Sequence, residues 1–185
     1  MANNLSAIGG VELSSVAKGL ETADAMLKTS DVRMLVSRSV CPGKYVILVS
    51  GDVGAVNAAV DAGSSKAAHA LVDQFVIPNI HPQVFPAIEG TGPAGELESL
   101  GVIESFSVSA LIEAADAAVK AADVRLIEIR LAMALGGKAF VTLTGSVAAA
   151  ETAVGAGAAV VARRGLLVEK VVIPQPRKEL LDELI

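Results

Sequence analysis

The stretch GGVELSSVAKGLETADAMLKTSDVRMLVSR, residues 9–38, decides the fold, because its pattern returns as GVIESFSVSALIEAADAAVKAADVRLIEIR at residues 101–130. Further along the chain, Gly43-Lys44 matches Gly137-Lys138, and Val76-Ile77-Pro78 matches Val172-Ile173-Pro174. The spacing between matching positions grows in steps, as expected when short insertions fall in loops. The chain is therefore a tandem duplication.

Each copy is predicted to fold as strand, helix, strand, strand, helix, strand. Apolar spacing in the first copy predicts strands at 8–13, 33–40, 45–49 and 71–77, and helices at 15–29 and 52–70. The second copy predicts strands at 100–105, 124–132, 139–144 and 166–173, and helices at 107–121 and 146–162. The predicted domains are residues 5–88 and 99–185, joined by a Gly- and Pro-rich linker at 89–98. Four strands and two helices per copy indicate an α+β unit with a four-stranded antiparallel sheet, ferredoxin-like in class.

The composition indicates a protein with large apolar subunit contacts. The 185 residues are 52% apolar and 3% aromatic, and the mean hydropathy is +0.58. The uncharged stretch between Lys138 and Glu151 is shorter than the roughly 20 residues that span a membrane, and Gly145 interrupts it. We therefore expect no membrane insertion and interpret the apolar excess as subunit interface.

Charge and cysteine content narrow the function classes further. The formal net charge is −5, and the basic residues are scattered, which argues against nucleic-acid binding. A single cysteine excludes an internal disulfide and fits a reducing cytoplasm. His69 and His81 have no serine or cysteine partner at a recognisable spacing, so no catalytic dyad is predicted.

Both copies carry the pattern GxxExxSVxxxxxxADAxxK, a Gly-Lys turn between two strands, a Gly-Asp-Val or Gly-Ser-Val helix start, and Val-Ile-Pro. This combination resembles the bacterial microcompartment shell domain, and the resemblance covers nearly the whole chain. Two fused copies resemble the tandem-domain shell proteins, whose trimers mimic the hexagonal tile of the single-domain members. The resemblance implies a structural homotrimer, not an enzyme, within a microcompartment shell in the cytoplasm. Its implied partners are other shell proteins and a possible redox partner.

Within this family the chain most resembles tandem shell proteins of the propanediol-utilisation type whose trimer carries an iron–sulfur cluster. The residues that carry this resemblance are 11–19, Cys41-Pro-Gly-Lys44 and Asn79-Ile-His-Pro82. The family's cluster ligand is a cysteine that falls here on Cys41. The resemblance implies one [4Fe–4S] cluster per trimer, held by three thiolates in the central pore, for electron transfer or cluster exchange across the shell. The implied pore-loop residues are Pro42, Gly43, Lys44, Gly136, Gly137 and Lys138.

Two lysines are candidates for contacts between tiles. Asp24 and Lys28 are four residues apart on one predicted helix, and Asp116 and Lys120 repeat that spacing. From the residues alone these are helix-face ion pairs of small energy. The family resemblance implies that Lys28 and Lys120 lie at the edge of the tile.

Two other readings stay open. The trimer can be a tile with a cofactor-free metabolite pore, in which Cys41 is a bystander, since a lone cysteine is most often a small apolar residue. Alternatively, duplicated α+β units also serve as ligand sensors or enzyme domains, because a fold does not fix a function.

Overall fold

The computed structural model describes residues 6–91, 97–132 and 136–181. The chain divides after Ile80 into two compact units. The first unit consists of β1 (Ala7–Leu13), α1 (Val16–Thr29), β2 (Arg33–Val40), β3 (Lys44–Gly51), α2 (Val53–Ala67) and β4 (Leu71–Pro78). The second consists of α3 (Val84–Glu89), β5 (Ser99–Ser105), α4 (Val108–Ala121), β6 (Arg125–Arg130), β7 (Ala139–Thr144), α5 (Val147–Arg163), β8 (Leu167–Pro174) and α6 (Lys178–Leu181).

Both units contain the same antiparallel sheet. The strand order is β2-β3-β1-β4 in the first unit and β6-β7-β5-β8 in the second. Each unit's first strand pairs with its third and fourth strands, and its second strand pairs with the third. This is the βαββαβ arrangement of ferredoxin-like units, so the predicted α+β class and the duplication are confirmed.

The core of the first unit lies between the sheet and both helices. Alternate residues of β1 and β3 point to one face, where Val11 and Ile47 are buried beside Met26 of α1 and Val56 of α2. Since a strand presents every second side chain to the same face, this single cluster places both helices on that face. β1 is buried along its whole length, as expected of a central strand.

Polar residues at the helix starts explain where the helices begin. Ser15 accepts a hydrogen bond from the Lys18 backbone N–H, and Asp52 accepts one from the Ala55 N–H, so these two residues cap the starts of α1 and α2. Helix α2 ends at Ala67 and a 3-10 turn covers 68–70, so the helix predicted to reach residue 70 is shorter. The strand predicted at 124–132 likewise spans only Arg125–Arg130.

Helix α3 was not predicted. It ends at Gly90, whose φ of 68° is a left-handed conformation that glycine adopts at little cost. The compact units divide eight residues before the predicted domain end at residue 88, so α3 belongs to the second unit. Of the predicted linker, residues 92–96 lie outside the described part of the chain.

Candidate functional site

Cys41 lies in the tight turn that joins β2 to β3. Val40 pairs with Lys44 at the end of the ladder, and the Gly43 N–H donates to the Val40 carbonyl at 3.1 Å. Gly43 has a φ of 83°, which favours glycine. Cys41 is a half-buried free thiol. The turn therefore places this side chain at the end of a hairpin.

The second unit has an equivalent turn before β7. Gly136 and Gly137 have φ values of 61° and 88°, so both use backbone conformations that favour glycine. Lys138 follows them, as Lys44 follows Gly43. Residues 133–135, which precede this turn, lie outside the described residues.

The lysine of each turn forms an ion pair with a glutamate of its unit's first strand. Lys44 Nζ lies 2.7 Å from Glu12 Oε1, and Lys138 Nζ lies 2.6 Å from Glu104 Oε1. The Glu12 side chain is 11% exposed and the Glu104 side chain 26%. These glutamates were not predicted as part of the site. Both copies nevertheless repeat the glutamate of the first strand and the lysine of the turn, and this repetition was a usable signal. The two pairs fix both turns to the sheets below them.

The candidate tile-edge lysines form the predicted helix-face ion pairs. Lys28 Nζ lies 2.6 Å from Asp24 Oδ2, and Lys120 Nζ lies 2.6 Å from Asp116 Oδ2. The Lys28 side chain is 74% exposed. Nearby on α1, hydrogen bonds from Lys18 and Lys66 lower the pKa of Glu21 to about 2.

A metal site cannot be built from one chain alone within the described residues. No group of three or more His, Cys, Asp or Glu side chains there could hold a metal ion. Of the two histidines, His81 is engaged locally, since its Nδ1 accepts from the Gln83 N–H. Cys41, a free thiol on a hairpin turn, is suited to be one ligand of a site shared between copies of the chain.

A cavity of about 650 Å³ lies elsewhere in the second unit, between residues 123–126, the end of β7 and the start of α5. The glycine turn at 136–137 precedes the other end of β7. The cavity is therefore separate from the turn that corresponds to the Cys41 turn.

A model of the bacterial microcompartment (BMC) domain matches residues 7–80 and, a second time, residues 99–176. The chain belongs to the bacterial microcompartment shell family. Its two matched segments correspond to the two sheets, so the tandem organisation of this shell protein is shown twice, by sequence and by fold. Members of this family are structural proteins, and no helix in the described ranges combines the length and apolarity needed to cross a bilayer.

Relatives of this shell protein include full-length and single-domain forms. It is 43% identical to the bacterial microcompartment shell protein PduT of Citrobacter freundii over 97% of both chains. A crystal structure of a microcompartment protein from Desulfitobacterium hafniense has 51% identity and a TM-score of 0.92, covering 95% of this chain and 98% of that one. The carboxysome shell protein CsoS1A of Hydrogenovibrio crunogenus is 42% identical and matches 44% of this chain and 88% of its own length.

Proposed function

We propose that this shell protein forms a homotrimeric, pseudohexagonal tile in which three copies of Cys41 hold a [4Fe–4S] cluster at the central pore. The observation that carries the proposal is the position of Cys41: a free thiol on the β2–β3 turn of a chain similar to PduT over nearly its full length. One chain supplies one thiolate, so a three-fold axis supplies three. Such a cluster stores and transfers single electrons.

The ion pairs beneath the turns support a pore built from these loops. Lys44 and Lys138 are each neutralised by a glutamate, at 2.7 Å and 2.6 Å. Bringing three turns together would otherwise concentrate positive charge, which repulsion opposes. With each lysine paired to a glutamate, the turns carry little net charge, so repulsion between lysines does not oppose their approach to one axis.

A trimer whose pore carries metabolites without a cofactor is the second candidate. The feature that favours it is the Gly136-Gly137-Lys138 turn, which has the same hairpin position and ion pair but no cysteine at residues 136–138. Such a turn lines a passage without binding metal. In this case Cys41 is a spectator.

The deciding experiment compares wild type with Cys41→Ala after purification without oxygen. We expect the wild type to be brown, to contain iron and to show the visible absorption bands of thiolate-to-iron charge transfer. The variant should be colourless and free of iron. Multi-angle light scattering should give trimers for both, because the thiol is not needed for the fold.

Each outcome separates the two candidates. An iron-free wild type, even after chemical reconstitution of the cluster, would exclude the cluster and leave the metabolite pore. Monomers in light scattering for the wild type would contradict the tile itself. Equal iron in wild type and Cys41→Ala would show that another group binds it.

A further inference from the structure

Arg38 is the charged residue of β2 that lies nearest in sequence to the Cys41 turn. It precedes Cys41 by three residues and pairs with Val46 of β3. At about 3.4 Å per residue of strand, the Cα atoms of Arg38 and Cys41 lie at most about 10 Å apart. Arg38 is exposed, and its side chain makes no hydrogen bond or ion pair within residues 6–91, 97–132 and 136–181. A positive charge near the thiol is therefore left without a partner in this part of the chain.

Arg130 occupies the equivalent place in the second unit, and there the charge is neutralised. It pairs with Phe140 of β7, as Arg38 pairs with Val46 of β3. Arg130 Nη2 lies 2.9 Å from Glu128 Oε1, and Arg130 Cζ lies 5.6 Å from the centre of the Phe140 ring. At that distance a guanidinium is attracted to an aromatic face. A carboxylate and a ring of its own sheet thus hold this arginine.

Two substitutions between the copies account for the difference. Val36 stands where the second unit has Glu128, and Val46 stands where it has Phe140. Both valines are buried, with exposures of 8% and 2%. Neither valine offers a carboxylate or an aromatic face to an arginine. The copy that contains the thiol therefore lacks both groups that neutralise the arginine of the other copy.

Glu12, the carboxylate of the neighbouring strand β1, is already engaged. Val46 lies between Arg38 and Glu12 in the register of the sheet, so their backbones are two strand spacings, about 10 Å, apart. Glu12 Oε1 instead lies 2.7 Å from Lys44 Nζ. Of the two cations that flank the Cys41 turn, Lys44 is therefore compensated and Arg38 is not.

We infer that Arg38 raises the reduction potential of the iron–sulfur cluster that the proposed function assigns to Cys41. The inference rests on that proposed function and adds the residue that sets the potential. One-electron reduction adds one negative charge at the thiolate-bound cluster, and the electron comes from the reductant. A nearby positive charge stabilises the more negative, reduced form, so it raises the potential. Three chains around one axis supply three such charges.

A redox titration of reconstituted protein tests this inference. Wild type, Arg38→Gln and Arg38→Lys are reduced stepwise with dithionite in the absence of oxygen, and electron paramagnetic resonance follows the reduced cluster. We expect Arg38→Gln to have a lower midpoint potential than the wild type. Arg38→Lys should keep the wild-type potential, because it keeps the charge. Added salt should shrink the difference between wild type and Arg38→Gln, since salt screens an exposed charge.

The matched control is the double variant Glu128→Gln with Arg130→Gln. It removes the equivalent arginine of the second unit together with the carboxylate that balances it, so no net charge is lost. We expect its midpoint potential to equal that of the wild type. An unchanged potential in Arg38→Gln, or an equal fall in the double variant, would overturn the inference.

The cluster-free protein gives a second readout through the thiol itself. Cys41 attacks an aromatic disulfide, forms a mixed disulfide with one half of it and releases the other half as a thiolate. The anionic reagent dithiobis(nitrobenzoate) is compared with the neutral reagent dithiodipyridine at low salt. We expect Arg38→Gln to slow the anionic reagent severalfold relative to the neutral one, because a cation attracts an anion to the thiol. An unchanged ratio of the two rates would contradict an effect of the Arg38 charge at Cys41.

Iron analysis of the reconstituted samples separates this inference from the proposed function. A wild type without iron would overturn the cluster and the role of Arg38 in its potential together. A wild type that holds the cluster, with a potential that Arg38→Gln does not change, would overturn only the role of Arg38. A lower potential in Arg38→Gln alone, restored by Arg38→Lys, would support both.

Discussion

At the residue scale, the Glu12–Lys44 and Glu104–Lys138 pairs hold the two hairpin turns in place. They are chemically identical and occupy equivalent positions, but the Glu12 side chain is 11% exposed and Glu104 is 26% exposed. A charged group left without its partner is penalised more strongly where less water reaches it. The duplication thus provides an internal comparison of one interaction at two degrees of burial.

We expect Glu12→Gln to lower the free energy of unfolding by about 1.5–3 kcal/mol, the range for a hydrogen bond to a charged group. Glu104→Gln should cost less, because the Glu104 carboxylate is more exposed and water screens its ion pair more strongly. Thermal unfolding of both variants under one buffer condition checks the order. A larger loss for Glu104→Gln would show that burial does not control the strength of these pairs.

Ion pairs within one helix were predictable from the sequence, and ion pairs between strands were not. The Asp24–Lys28 and Asp116–Lys120 bonds follow from a spacing of four residues on a helix, and the structure confirms both. Glu12 and Lys44 meet only because β1 and β3 are neighbours in the sheet. The strand order has to be known before such a contact can be drawn.

At the element scale, the approach of α5 to α4 and β5 depends on one glycine. A Cβ on Gly157 would lie 2.6 Å from Ile103 Cδ1 and 2.7 Å from the Ala114 carbonyl oxygen. A backbone oxygen inside a helix cannot move aside without shifting the helix. Gly155, two residues earlier in the same helix, has no atom within 4 Å of the equivalent position.

Gly157→Ala should therefore destabilise the protein by about 1–3 kcal/mol, as overpacking does in cores. Gly155→Ala should leave stability unchanged or raise it by up to about 1 kcal/mol, since alanine favours helix. Melting temperatures followed by circular dichroism measure both variants. Equal melting temperatures for the two variants would mean that α5 can move away from α4 at no cost, which would contradict the close contact at Gly157.

Helix α3 shows where prediction of elements fails. It has six residues, Val84–Glu89, too few for a periodic apolar pattern to be recognised. Pro86 lies within it, and proline inside an apolar run normally argues against a helix, although the first turn tolerates it. The long helices and the strands, which show clear periodicity in both copies, were found within a few residues of their ends.

At the scale of the whole molecule, the proposal that Lys28 lies at the edge of the tile concerns contacts between trimers. Its side chain is 74% exposed and its ion pair with Asp24 is solvent-accessible, so it contributes little to the fold. An exposed cation in the last turn of a helix is available to a neighbouring molecule.

We expect Lys28→Glu to abolish two-dimensional sheets in negative-stain electron microscopy while light scattering still gives trimers. Lys66→Glu is the matched control, since Lys66 is also an ion-paired lysine in the last turn of a helix. It should form sheets like the wild type. Sheets of undiminished size from Lys28→Glu would remove this lysine from the tile edge.

The duplication was readable from the sequence because thirteen or so side chains return at a fixed spacing, and it determined the fold class. The difference between the copies was not readable. Asp24 and Asp116 each stand between two alanines and four residues before a lysine, yet only Asp116 is buried beside His81. Which copy of a repeated surface is covered depends on chain connectivity and assembly, and the alanines at 110 and 114 in place of Lys18 and Thr22 are only an indirect signal of it.

Joining two domains in one polypeptide changes how many copies of one side chain a ring of subunits can present. A ring of six separate, identical domains presents a given side chain six times or not at all. This chain has one hairpin turn with a thiol at residue 41 and another, at 136–138, without one. Fusion lets the two positions diverge under separate selection, so that the proposed trimer would bring three thiols, and not six, to its axis. The lower symmetry of a ring of fused chains thus allows fewer metal ligands at its axis than there are domains in the ring.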